Sequence, residues 1–215
     1  MSVSRLQVYN TLIRTGLVPV FYMDNVAEAQ AFMGACIDGG VRVFEFTNRG
    51  KEALSVFLGL RHAFPDNLLG IGSIVDAPTA ALYIAHGADF IVSPAFNADV
   101  ATLCNQRKIA YIPGCATITE IQTAEAHGAE IIKLFPANVY GSDFVKGLKA
   151  PMPWTRIMPT GGVEPTEDSI KQWFSAGVSC VGIGSNLRTV ANISATCKQV
   201  LAWISHYRKD DAHAL

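Results

Sequence analysis

Two oppositely charged residues, Glu45 and Lys133, stand inside runs that otherwise read as buried strands, VRVFEF at 41–46 and EIIKLF at 130–135. A strand covered on both faces should be an unbroken series of Val, Ile and Leu, and lysine is almost never fully buried unless paired. Either the amine escapes to solvent or the core needs it. In water an ε-amine is protonated at neutral pH and is a poor nucleophile, whereas apolar surroundings disfavour the ammonium. A neutral lysine attacks a carbonyl to form a Schiff base, and the iminium is an electron sink for breaking or making the adjacent C–C bond. That chemistry needs a group to carry protons to and from the carbinolamine and the enamine, a role open to Glu45. The alternative is a structural ion pair, the usual state of buried opposite charges. Placement decides between the two.

The elements that set the placement are legible as an alternation. Strand-length apolar runs at 17–22, 41–46, 69–73, 89–93, 109–112, 130–135, 156–159 and 179–183 are separated by helix-length segments such as 25–38, 51–62, 77–86, 118–127 and 165–176. An opening helix over about 3–14 and a closing one over about 190–208 complete the chain. Eight alternating units indicate an α/β protein with a parallel sheet, and no linker or charge block divides it, so residues 1–215 read as one domain. An internal repeat favours closure of the sheet. The segments DGGVRVFEF, AHGADFIVS, AHGAEIIKL and SAGVSCVGI each run from a helix end through a glycine (Gly40, Gly87, Gly128, Gly177) into a strand. They recur on alternate strands, and a (β/α)₈ barrel builds its interior from layers contributed by alternate strands.

Counting from each glycine gives the register, because side chains on a strand alternate faces. Position +3 is Val43, Phe90, Ile131 and Cys180; position +5 is Glu45, Val92, Lys133 and Gly182. With that face inward, the first set is an apolar layer. The second lies above it, toward the C-terminal strand ends where the active sites of such barrels are built, with Val92 and Gly182 leaving room around the charged pair.

The loops at that end add anion chemistry. Strand 7 runs into MPTGGVEPT and strand 8 into GIGSN, so Gly161, Gly162, Gly184 and Ser185 are candidates to close backbone N–H groups on a phosphate. A dinucleotide fingerprint is excluded, since its third glycine position is Leu187. Arg49, just after strand 2, offers a planar fork for the carboxylate of a 2-oxo acid, and Ser73, at the end of strand 3, a hydroxyl for the same group. The alternatives are a solvated loop arginine and a satisfied turn hydroxyl. His86 and His127 precede helix-ending glycines, where histidine complements a helix C-terminus, and no metal-binding spacing occurs, so no metal and no cofactor are expected. Cys115, in PGCAT, has no basic partner and reads as packing.

Net charge is −1, which argues against nucleic-acid or membrane-surface binding by bulk electrostatics. No apolar run reaches membrane-spanning length and the N-terminus lacks a secretory h-region. The five scattered cysteines suggest buried, reduced thiols in a cytoplasmic protein.

From about 17 to 187 the chain resembles the 2-keto-3-deoxy-6-phosphogluconate (KDPG) aldolase / 4-hydroxy-2-oxoglutarate aldolase family. The resemblance is carried by VRVFEFTNRG, GIGSIVDA, FIVSPAFN, IPGCATITE, IIKLFPAN, MPTGGV and GIGSN, in that order. It implies a homotrimeric, metal-free, class I Schiff-base aldolase acting on a small keto acid or sugar acid phosphate. Within it Lys133 matches the Schiff-base lysine, Glu45 the general acid/base, and Arg49 with Ser73 the carboxylate clamp. Pro94 and Phe135 match lining residues, Thr160 lies beside the phosphate glycines, and Gly161, Gly162 and Ser185 match phosphate contacts. The departures are Phe44 and Phe46 around the glutamate, Asn48 and Gly50 around the arginine, Asn138 where an acid is usual, and Phe96 with Asn97 after Pro94. They leave the pyruvate half intact and direct attention to the aldehyde half. The implied reaction cleaves a 2-keto-3-deoxy-6-phospho sugar acid to pyruvate and glyceraldehyde 3-phosphate, or 4-hydroxy-2-oxoglutarate to pyruvate and glyoxylate. Two rivals keep the barrel: a phosphosugar isomerase or epimerase whose lysine only stabilises an enolate, and a non-catalytic sugar-phosphate binder.

Overall fold

The computed structural model describes residues 3–208; the outermost parts of the expected 1–215 domain lie outside the described residues. The strands are β1 (Leu17–Phe21), β2 (Val43–Thr47), β3 (Leu68–Gly72), β4 (Phe90–Val92), β5 (Ala110–Ile112), β6 (Gly114–Cys115), β7 (Ile132–Leu134), β8 (Ile157–Pro159) and β9 (Val181–Ile183). The helices are α1 (Arg5–Thr15), α2 (Val26–Asp38), α3 (Ala53–Ala63), α4 (Ala77–Ala85), α5 (Ala98–Arg107), α6 (Ile118–Ala126), α7 (Ala137–Lys149), α8 (Glu167–Ser175), α9 (Ser185–Arg188) and α10 (Ile193–Tyr207).

Nine runs appear where eight were expected, because the fifth stave is cut in two at Pro113. Proline brings no N–H to the ladder. β5 ends a six-stranded sheet of order β5-β4-β3-β2-β1-β9, and β6 begins a three-stranded one of order β6-β7-β8. All pairings are parallel. A single bridge from Thr160 to Gly182 joins the β8 side to β9. On the other side, the Lys133 N–H donates to the Pro113 carbonyl at 2.9 Å. The result is a (β/α)₈ barrel with an extra N-terminal helix.

The repeat behaves as its spacing implies. Gly40, Gly87, Gly128 and Gly177 all have φ between 86° and 98°, the left-handed turn that ends a helix without a Cβ penalty. The apolar layer Val43, Phe90, Ile131 and Cys180 lies in one interior cluster with Val18, Leu68, Val92, Ala110, Ile112 and Met158. Val8, Tyr9, Leu12 and Ile13 of α1 belong to the same cluster, so this helix stops the N-terminal end of the barrel. Ser4 starts it with a reciprocal capping box to Gln7. The larger second cluster lies between the staves and the surrounding helices.

α1 also repairs the break at β5. The Tyr9 hydroxyl donates to the Tyr111 carbonyl at 3.3 Å and accepts from the Tyr111 N–H at 3.2 Å. These are the backbone groups of β5 that face away from β4, where the ladder has no strand to offer. Burial pushes the Tyr9 phenol up to about 12, so it stays a neutral donor.

Candidate active site

Glu45 leaves the middle of β2 and Lys133 the middle of β7, both inward, one layer above the apolar floor. The Lys133 Nζ donates to Glu45 Oε1 at 3.0 Å and Oε2 at 3.4 Å. Glu45 is 0% and Lys133 5% exposed. The pair is therefore shielded from solvent, and each charge has the other as its hydrogen-bonding partner, without which burial would be strongly destabilising. Lys133 Nζ also sits 5.4 Å from the centre of the Phe135 ring.

Space for the carboxylate comes from β3. A Cβ on Gly72 would lie 2.1 Å from Glu45 Oε1, and one on Gly70 would lie 2.3 Å from the Phe90 ring. Two glycines two positions apart on one stave thus receive the large side chains of the staves beside it. The expected room at Gly182 is instead taken by Thr160, whose Oγ1 would lie 2.4 Å from a Cβ there. That hydroxyl is buried without a hydrogen-bond partner.

A cavity of about 440 Å³ opens at the C-terminal end, lined among others by Thr47, Arg49, Phe135, Thr160, Gly161 and Ser185. Gly184 also lines it. Of the sequence-derived candidates, Glu45, Lys133, Ser73, Gly162 and Pro94 are not lining residues. Ser73 lies beside Arg49, whose Nε donates to its Oγ at 3.2 Å. Its φ of 62° is a left-handed conformation that a serine adopts at some strain. Gly161 and Gly162 have φ of 91° and 82°. Gly162 packs against Asn138, where a Cβ would come within 2.5 Å of the asparagine Cβ. Pro94 is exposed, and its carbonyl lies against Gly114 rather than in the cavity.

The cysteine and histidine expectations resolve by contacts. Cys115 is buried and belongs to the core between staves and helices, and its thiol is pushed up to about 12 chiefly by burial and further by Glu120 and Glu125. His86 and His127 each place Nδ1 2.8 Å from a carbonyl one helical turn back, Leu82 and Thr123 respectively. Among the described residues no group of three or more His, Cys, Asp or Glu could hold a metal ion. No described helix is long and apolar enough to cross a membrane.

A family model described as KDPG and KHG aldolase matches residues 8–202. The chain belongs to this family. It is 37% identical over 169 residues to a 2-dehydro-3-deoxy-phosphogluconate aldolase of Pseudoalteromonas atlantica, covering 77% of each chain. A 2-dehydro-3-deoxy-6-phosphogalactonate aldolase of Escherichia coli is 31% identical over 185 residues, 85% of this chain and 89% of that one. Among solved structures, a 2-keto-3-deoxy-6-phospho-gluconate aldolase from Zymomonas mobilis superposes with a TM-score of 0.82 at 26% identity, covering 96% and 98% of the two chains.

Within the KDPG and KHG aldolase family pattern, most departures of this chain fall away from the cavity. Phe44 and Phe46 point outward into the layer under the helices. Asn48 accepts a hydrogen bond from the Tyr83 hydroxyl at 3.0 Å. Phe96 packs on His127, and Asn97 caps α5. Only Asn138 abuts the glycine loop. Sequence reasoning missed Tyr22 and Arg188, both of which line the cavity. No periodicity points to Arg188, because α9 has only four residues. Gly72 falls on the inward face of β3, but its own segment does not name the carboxylate it makes room for.

Proposed function

We propose that the chain, one domain from 1 to 215, is a class I aldolase that cleaves a 2-keto-3-deoxy-6-phospho sugar acid to pyruvate and glyceraldehyde 3-phosphate. Membership of the aldolase family makes it a lyase and does not favour an isomerase or a non-catalytic binder. The observation that carries the mechanism is the dry Lys133–Glu45 contact of 3.0 Å beneath a cavity bearing Arg49 and the glycine loops.

In this reading Arg49 and Ser73 hold the substrate carboxylate. The ammonium proton passes to Glu45, and the Lys133 lone pair attacks the C2 carbonyl carbon. Loss of water from the carbinolamine gives the iminium. The C3–C4 bond then breaks, its electron pair moving toward the iminium nitrogen, while a carboxylate accepts the C4 hydroxyl proton and the aldehyde departs. Glu45 is the acid/base for these transfers and returns a proton to C3 of the enamine; hydrolysis releases pyruvate and regenerates the amine. Gly161, Gly162, Gly184 and Ser185 hold the phosphate at the far end, with Phe135 and Thr160 along the chain between. 4-Hydroxy-2-oxoglutarate is a second substrate for the same steps. The protein works in the cytoplasm as a homotrimer; five buried free cysteines support the compartment, and the family resemblance alone supports the trimer.

Incubation with pyruvate and borohydride should add a reduced pyruvyl group to Lys133, located by peptide mass spectrometry. An unmodified Lys133 in a chain that still turns over would defeat the scheme.

A further inference from the structure

We infer that Arg188 is the residue that selects a phosphate-terminated aldehyde half, an inference that rests on the aldolase reading above. Arg188 stands three positions after Ser185 on α9, so the two share a face, and both line the cavity with Gly161 and Gly184. Its Nη1 donates to the Tyr22 carbonyl at 3.1 Å, which holds the guanidinium at the cavity edge.

Charge bookkeeping within the cavity assigns the role. Lys133 and Glu45 cancel each other. Arg49 faces the substrate carboxylate and leaves no positive charge over. No Asp or Glu lines the cavity. Asp24, on the loop that follows β1, accepts the Tyr22 hydroxyl. No described carboxylate forms an ion pair with Arg188. One guanidinium therefore has no counter-charge until a substrate brings a second anion. A neutral sugar end leaves it unmatched. The carboxylate of 4-hydroxy-2-oxoglutarate supplies an anion, but one attached directly to the carbon at which the bond breaks. A phosphate ester two carbons further out reaches the glycine loop, and its several oxygens can accept from the guanidinium fork and from backbone N–H groups together.

The test runs the reaction toward condensation, with pyruvate as donor and three acceptors: D-glyceraldehyde 3-phosphate, D-glyceraldehyde and glyoxylate. Arg188→Gln should lower kcat/KM for glyceraldehyde 3-phosphate by about tenfold to a hundredfold, mostly through KM, and shrink its advantage over glyceraldehyde by the same factor. Arg188→Lys should recover part of that advantage. Equal losses on all three acceptors would mean a structural role and overturn the inference, as would an unchanged ratio. A larger loss on glyoxylate would assign the guanidinium to the shorter carboxylate and also overturn it. Calorimetric binding of glyceraldehyde 3-phosphate to the wild type and to Arg188→Gln decides the same point without turnover; equal affinities would overturn the inference. Failure of borohydride trapping in the wild type would strike the Schiff-base reading instead.

Discussion

The two ends of the barrel are built on opposite principles. At the N-terminal end the helix-to-strand turns are closed by left-handed glycines, and α1 fills the opening with apolar side chains and one tyrosine. The hydroxyl of that tyrosine, Tyr9, is spent on two fixed backbone contacts. At the C-terminal end the strand-to-helix loops begin helices with polar caps, Asn25, Asp76, Asn97, Thr117 and Thr166 among them. There the interior holds a charged pair, a hydroxyl without a partner and an open cavity. The difference teaches that one end is closed by an apolar plug and the other is built around a buried charged pair and a cavity. Substitutions at the first should therefore register as stability and at the second as rate.

The sharpest break comes at Lys133. Lys133→Met should lower turnover by about four orders of magnitude or more and abolish pyruvate trapping, because no other group can form the iminium. Glu45→Gln should retain a reducible pyruvyl adduct while slowing cleavage by about 10²–10⁴-fold, measured by coupled detection of pyruvate. Gly72→Ala should cost about 10–10²-fold in kcat with little change in thermal midpoint, since the new methyl displaces the Glu45 carboxylate from Lys133. A normal rate for this variant would show that the 3.0 Å contact is not the working geometry.

Tyr9→Phe tests the other end. It leaves the Tyr111 N–H and carbonyl without their partner and should cost about 1–3 kcal/mol in urea denaturation, with kcat/KM unchanged. A lowered rate at full stability would erase the division between the ends. The smallest effect belongs to an exposed cap. The Glu120 carboxyl is held below the usual carboxylate range, first by the Ala116 N–H and then by that of Thr117. A depressed folded pKa contributes stability that is present above the unfolded value and lost as pH falls through the folded one. Glu120→Gln should therefore flatten the acid side of the stability–pH curve, by no more than about 1 kcal/mol because water screens the group.

How far the sequence reached depended on whether a feature repeats. The alternation that placed Val43 and Ile131 on the floor also placed Glu45 and Lys133 above it, and the helix-ending glycines marked the frame for the count. The same alternation turns Phe44 and Phe46 outward, so those departures from the family pattern belong to the packing under the helices and not to the aldehyde half. Features that arise from one contact between distant segments were not legible. Pro113 reads as a strand end until the strand beyond it is seen to resume at Gly114. Gly72 makes room for a carboxylate from the neighbouring stave, and nothing in its own segment names that neighbour. Thr160 fills the space at Gly182 for the same reason. Gly162 sits one position out of the cavity, a displacement finer than loop residues allow by spacing alone, and the Pro94 carbonyl lies against Gly114 instead. Arg188 lay on a four-residue helix too short for periodicity to expose.

The hydroxyl of Tyr9 has a role beyond its two bonds. Cut at Pro113, β5 would otherwise offer a naked N–H and carbonyl to any extended segment that drifted past, which is how sheet edges recruit foreign chains. Because the group that occupies them lies 102 residues earlier, on α1, protection against intermolecular strand pairing rests on that helix. Deleting α1 would leave the catalytic end untouched in sequence while creating a chain prone to cling to its copies.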